Sequence, residues 1–159
     1  METHLRKLIQ SPRIRFADFD KEAVPIGAGV YLIWEGSKLI YIGMSGRGAT
    51  PGHIASAKRA GKPKWLRQRL AAHASGRLSG DQFCVYVANR LVLKGLTEEQ
   101  IERISSGALS LDVLVRDYIS GNLSYSYREV RSGSEALALE ASLRSGTTEL
   151  GYPLLNPAK

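Results

Sequence analysis

The chain predicts an α+β domain: a small antiparallel sheet, about three strands in its core, flanked by helices. Three observations carry this reading. "GVYLIWEGSKLIYIGMS", residues 29–45, sets two short apolar runs around a Gly-containing turn and reads as a hairpin. "LSYSYREV", residues 123–130, alternates apolar and polar positions and reads as a third strand. "KWLRQRLAAHAS", from Lys64, and "ALALEASLRS", from Ala136, have helical spacing and lie beside residues suited to helix ends. With 159 residues, 43% of them hydrophobic, the length suits one domain with one real core.

Residues 1–28 predict a short helix, "HLRKLIQ", and an extended lead-in with Pro12 and Pro25; the single domain then runs over 29–157. After the hairpin, residues 44–63 form a basic, Gly-rich stretch whose front part is expected as a loop, with Ala55–Ala60 a candidate helical turn. A connection this long is usually functional or disordered. The helix from Lys64 ends at Gly76, a suitable C-cap. "DQFCVYVA", residues 81–88, reads as a strand. Two helices follow, "LTEEQIERISSG" and "SLDVLVRDYISGN", as a helical insertion at about 95–122. Thr97 with Gln100, and Ser132 with Glu135, have capping-box spacing. The tail "ELGYPLLNPAK" is turn-rich.

The charge balance is 22 basic against 15 acidic residues, a net +7. It is unevenly placed. Residues 44–90 hold Arg47, Lys58, Arg59, Lys62, Lys64, Arg67, Arg69, Arg77 and Arg90 against Asp81 alone, a net +8, which leaves −1 for the rest. Such a block is a candidate footprint for a nucleic-acid backbone; a solvated basic face is the plain alternative. The one cysteine, Cys84, lies in an apolar run and is expected in the core, with no internal disulfide. No run reaches the roughly 20 apolar residues of a membrane span, and the amino-terminal stretch lacks a secretory pattern, so a cytoplasmic protein without membrane partners is expected.

Hairpin register decides where the phenols point, because a one-residue slip turns every side chain to the other face. Pairing Tyr31 with Tyr41 places Val30, Leu32, Ile40 and Ile42 on one face and Tyr31, Ile33, Leu39 and Tyr41 on the other. A plain two-residue turn at Gly36-Ser37 would separate the phenols, so an odd-length turn or a compensating bulge is expected.

"GVY" at 29–31 and "YIG" at 41–43 resemble the two halves of the GIY-YIG endonuclease motif. The resemblance continues over about residues 27–157. Arg69 and His73 in "RQRLAAH" look like the family's helical Arg and His, Glu140 in "EALALEASL" like its Glu, and Asn156 in "YPLLNP" like its Asn. Val30 stands where the motif has isoleucine, and the Gly-rich stretch and the 81–122 segment are longer than a minimal module needs.

The resemblance implies a phosphodiester hydrolase acting on DNA by water attack. Tyr31 and Tyr41 fall on the nucleophile side: Tyr31 is the preferred general base and Tyr41 orients water and phosphate, with the reverse order open. A phenol titrates near 10, so such a base needs neighbouring cations to lower it. Arg69 and His73, four apart on a helix, project together; Arg69 suits a phosphate and His73 a proton relay or phosphate contact. Glu140, in an otherwise apolar helix, suits one Mg²⁺ or Mn²⁺ ion completed by waters and phosphate oxygens. Asn156 braces the site or is a turn residue. Ser45, Arg47, Lys58, Arg59, Lys62 and Lys64 are expected on the DNA backbone. Restriction by a homodimer, repair cleavage and nicking directed by a partner protein are all compatible with one small site. A catalytically silent nucleic-acid-binding module of the same fold is the alternative.

Overall fold

The computed structural model describes residues 2–145 and 150–156, with the side chains of 2–5 left aside. Four antiparallel strands form one sheet in the order β1-β4-β2-β3: β1 is Ile14–Arg15, β2 Ala28–Glu35, β3 Lys38–Ser45 and β4 Leu123–Val130. The two hairpin strands and the strand expected at 123–130 are thus joined by β1, because the lead-in pairs Ile14 and Arg15 with Tyr125 and Ser124. Seven helices lie among the described residues: α1 Glu2–Ile9, α2 Pro51–Arg59, α3 Leu66–Ser75, α4 Gln82–Val87, α5 Glu98–Ser105, α6 Leu111–Asn122 and α7 Gly133–Arg144. None is long and apolar enough to cross a membrane.

β2 is buried on both faces from Ala28 to Trp34 because helices cover both sides of it. On one side Tyr31, Ile33 and Ile40 pack with Leu66 and Leu70 of α3, Phe83, Cys84 and Val87 of α4, and Val115 and Ile119 of α6. On the other, Val30, Leu32, Leu39 and Ile42 pack with Leu8 of α1, Ile54 of α2, and Ala136, Leu139 and Leu143 of α7. Cys84 is a buried core residue, as its apolar run suggests.

The hairpin closes through Gly36-Ser37, with Glu35 opposite Lys38, and a bulge follows at once. Trp34 faces Leu39 while Ile33 faces Tyr41, so Ile40 is the extra residue. Tyr31 therefore pairs with Gly43, not with Tyr41. The bulge also exchanges Leu39 and Ile40 between the faces: Ile40 joins the phenols and Leu39 the aliphatic side. The two tyrosines nonetheless emerge on one face, two positions apart along the sheet.

Two further expectations are corrected. Residues 81–88 do not form a strand. Asp81 caps α4 by accepting the Phe83 N–H at 3.0 Å, and Phe83, Cys84, Val87, Ala88 and Leu91 bury at helical, not alternate, spacing. A π turn, Ala88–Val92, continues the helix. In the 44–63 stretch the front is a loop as expected, but the helix is longer than the turn expected at 55–60: Thr50 accepts the His53 N–H at 3.2 Å and Pro51 occupies the first turn, so a nine-residue helix starts there. The expected capping box at Thr97 and Gln100 is present in both directions. At Ser132 the hydroxyl accepts the Glu135 N–H, while the Glu135 carboxylate reaches one residue further back, to the Arg131 N–H.

Candidate active site

The glycines of "GVY" and "YIG" have separate steric reasons. A Cβ at Gly43 would overlap the phenol of Tyr31, its cross-strand partner, so glycine there lets the ring lie across β3. A Cβ at Gly29 would run into Leu66 and the Arg128 carbonyl, so glycine there lets α3 settle on the sheet. With α3 seated, the four-residue spacing of Arg69 and His73 brings both to one cleft with Tyr31 and Tyr41.

His73 is 1% exposed and links two other buried groups. Its Nδ1 lies 2.6 Å from Oδ2 of Asp81, and its Nε2 lies 2.9 Å from the Tyr31 hydroxyl. Burial lowers the His73 pKa from the usual 6.5, and Arg69 adds to this against the raising influence of Asp81, so the ring is neutral at pH 7. Burial pushes the Asp81 carboxyl up, but the hydrogen bond and charge of His73 and the N–H groups of Phe83 and Cys84 outweigh it; the net value is lowered. An ionised carboxylate only accepts, so His73 carries its proton on Nδ1 and offers the Nε2 lone pair to Tyr31. The resting chain is therefore Tyr31 O–H to His73 Nε2, and His73 Nδ1–H to Asp81.

Both phenols are held protonated. The Tyr31 pKa is raised well above 10.0, by burial first and then by Tyr41, with Arg69 pulling the other way. That of Tyr41 is raised to about 12, by burial and then by Asp81 and Glu140. The expectation that cations lower these values is thus met in sign by Arg69 but overruled by desolvation. Tyr41 packs edge-on to His73, with ring centroids 6.2 Å apart, and against Phe83 at 5.1 Å.

Glu140 arrives from the opposite layer. The amino end of α7 is pinned by the Ser132 cap and by the Gly133 N–H, which donates to the Ala49 carbonyl at 2.8 Å. Two turns on, the Glu140 side chain is 15% exposed and makes one long contact, 3.5 Å, to Arg144. Tyr31, Tyr41, Arg69, His73 and Glu140 line one cleft of about 780 Å³, together with Ser45, Arg47 and Asp81. Arg69 and Arg47 are exposed on its rim, and neither has a carboxylate partner among the described residues.

The other expected site residues are distributed. Asn156 lies off the cleft: its Oδ1 accepts the Ile42 N–H at 2.7 Å and its Nδ2 donates to the Ile42 carbonyl at 2.8 Å, bracing the free edge of β3. Lys62 and Lys64 line a neighbouring depression that shares Arg47 and Trp65 with the cleft. Arg59 is exposed on the last turn of α2. Lys58 is paired with Glu129 at 2.7 Å. Arg67 clamps α3 to the lead-in through Glu22 and the Val24 carbonyl, both at 2.7 Å, a structural role.

Among the described residues no group of three or more His, Cys, Asp or Glu side chains gathers as a metal cage. Asp81 is committed to His73, which leaves Glu140 as the cleft carboxylate with a single weak partner. One hard oxygen ligand at the wall of an open cleft fits a hydrated Mg²⁺ or Mn²⁺ ion that draws its other ligands from water and phosphate. It does not fit zinc.

The residue that the sequence reading passed over is Asp81. It is the only acid within the basic block and directly precedes an apolar run, which is an N-cap signature once that run is read as a helix. Compared with known proteins, the chain matches no family model, no curated protein and no solved structure.

Proposed function

We propose that the chain is a GIY-YIG-type DNA endonuclease that hydrolyses phosphodiester bonds by water attack with one divalent metal ion. The observation that carries the reading is the buried Tyr31–His73–Asp81 chain opening onto a cleft that also holds Arg69 and Glu140. A purely structural tyrosine has no need of a histidine acceptor that is itself oriented by a buried carboxylate. This arrangement follows the logic of an activated nucleophile or base oriented by a third group.

In the proposed step, water attacks phosphorus and gives its proton to the Tyr31 oxygen as the Tyr31 proton passes to His73 Nε2. The resulting imidazolium is held by Asp81, and the bond from phosphorus to the leaving oxygen breaks, that oxygen taking a proton from solvent. Because Tyr31 receives one proton as it gives another, a free phenolate is never required, and the raised phenol pKa is no obstacle. Arg69 meets the charge that develops on the phosphoryl oxygens, and Tyr41 orients the water and phosphate. Glu140 would hold the metal ion, which supplies Lewis-acid stabilisation of the phosphoryl and leaving oxygens.

The test is supercoiled plasmid incubated with Mg²⁺ and purified protein beside Glu140→Ala, Arg69→Ala and Tyr31→Phe. The expected result is nicking by the unaltered chain and little by the variants, with DNA affinity retained in Tyr31→Phe. No cleavage over a range of salt and divalent metals, with unchanged DNA affinity in all variants, would leave the catalytically silent binding module as the reading.

A further inference from the structure

Trp65 is the only non-glycine among the described residues with a positive φ, at φ 55°, ψ −118°. That is a true outlier for a bulky side chain, and it persists only where the surroundings over-determine it. They do so here. The Leu66 N–H donates to the Gly27 carbonyl at 3.1 Å, in a parallel bridge between Gly27 and Trp65, while the Arg69 N–H takes the Trp65 carbonyl at 2.7 Å to start α3. Glycine would satisfy the same backbone without strain, so the indole needs a reason of its own.

Its position supplies one. The ring packs in part against the α7-side core, is half-buried, and belongs to the walls of both the cleft and the adjoining depression of about 470 Å³. That depression also carries Arg47, Lys62 and Lys64, all exposed. The Lys64 ammonium sits 5.7 Å from the ring centroid, near the limit of a cation–π contact and easily given up. An aromatic surface set between cations, beside a phosphate-cleaving cleft, matches the way proteins hold unpaired bases.

We propose that Trp65 is a stacking platform for an unpaired nucleobase next to the scissile phosphate, so that the site prefers single-stranded or distorted DNA over regular duplex. This rests on the nuclease reading of the neighbouring cleft. When the base stacks, Lys64 turns to the phosphate that follows it, and Arg47 spans the two sites.

The test uses the full chain without divalent metal, so that binding is read apart from cleavage. A labelled 12-mer of deoxythymidine and an abasic strand of equal length and charge are titrated by anisotropy, and tryptophan emission is followed in parallel. The chain has two tryptophans, and Trp34 is 4% exposed, so quenching reports Trp65. The thymidine strand is expected to bind about ten-fold more tightly than the abasic one and to quench emission. Trp65→Phe should keep most of the affinity and lose the quenching. Trp65→Gly should lose the ten-fold preference while unfolding at the same or higher denaturant concentration, since the strain is relieved. Equal binding of the two strands would overturn the stacking role and leave the phosphate-binding surface standing. Failure to bind either strand overturns it too, and plasmid cleavage then decides whether the nuclease reading falls with it. A destabilised Trp65→Gly with its strand preference intact would make the indole a packing residue only.

Discussion

The proton inventory of three buried groups decides what Tyr31 can do. Tyr31→Phe removes one oxygen and leaves the ring packing, so the fold should persist while the cleavage rate falls by roughly 10²–10⁴-fold, the usual worth of a positioned acid or base. Circular dichroism beside plasmid cleavage checks both halves of this. Asp81→Asn separates a relay from a simple structural contact. The carboxylate raises the His73 pKa, so its loss lowers that value further; the rate should fall, yet the acid limb of its pH profile should move to lower pH. An acid limb that stays in place would remove Asp81 from the chemistry. Stability follows the same groups. His73 binds its proton less tightly when folded, so below about 6.5 the unfolded chain takes up more protons and stability falls as pH drops. Asp81, held below its usual 3.8, adds a further loss as pH falls through its folded value. The resemblance singled out Tyr31, Tyr41, Arg69, His73 and Glu140, and the fold does bring these five to one cleft. Asp81 was not legible in the sequence, because its meaning depends on whether the next seven residues form a helix or a strand. "QFCVYVA" is rich in β-branched and aromatic residues, and only tertiary packing against α6 and the sheet settles the choice.

The hairpin shows why an element can be legible while its register is not. Its two strands and the shared face of the phenols follow from sequence, and so does the need for a bulge if the turn has two residues. Which residue bulges depends on Trp34 and Leu39 both joining the α7 side, a packing fact with no local signal. The tail extends this element. Leu155 donates its N–H to the Ile40 carbonyl at 2.8 Å, and Asn156 takes both polar groups of Ile42, so the bulged edge of β3 is covered by chain from the far end of the sequence. Asn156→Ala should therefore act through stability: a loss of about 1–3 kcal/mol in urea unfolding, with faster hydrogen exchange at the Ile42 amide and a smaller effect on cleavage than Tyr31→Phe. A variant as stable as the parent but catalytically dead would return Asn156 to the chemistry. Gly43→Ala tests the other end of the same pairing. The new methyl meets the Tyr31 phenol, so either the ring shifts or the strands part, and both stability and cleavage should fall, stability by about 1–3 kcal/mol.

At the scale of the molecule, folding sorts the basic block into unlike parts. Arg67 is consumed in holding α3 to the lead-in, and Lys58 is neutralised by Glu129. Arg47, Lys62 and Lys64 stay exposed around the depression that joins the cleft through Arg47 and Trp65, and Arg69 lines the cleft with the phenols. Summed charge alone would weight all of these equally. For a nucleic-acid backbone laid along that surface, each phosphate neutralised adds about −0.9 to the slope of log K against log salt on duplex, and about −0.7 on single strands. Lys62→Ala and Lys64→Ala should each make the slope shallower by close to one such step, with little change in sequence preference. Lys58→Ala should change it by much less, because Lys58 must first leave Glu129 at 2.7 Å before it can reach a phosphate. The measurement is anisotropy of a labelled duplex without divalent metal, using Glu140→Ala protein, which on the nuclease reading should bind without cutting, from about 50 to 200 mM salt. If Lys58→Ala flattens the slope as much as Lys62→Ala does, the strand runs over α2 and β4 rather than along the cleft wall. The active-site geometry would then have to be approached from the other side of Arg47.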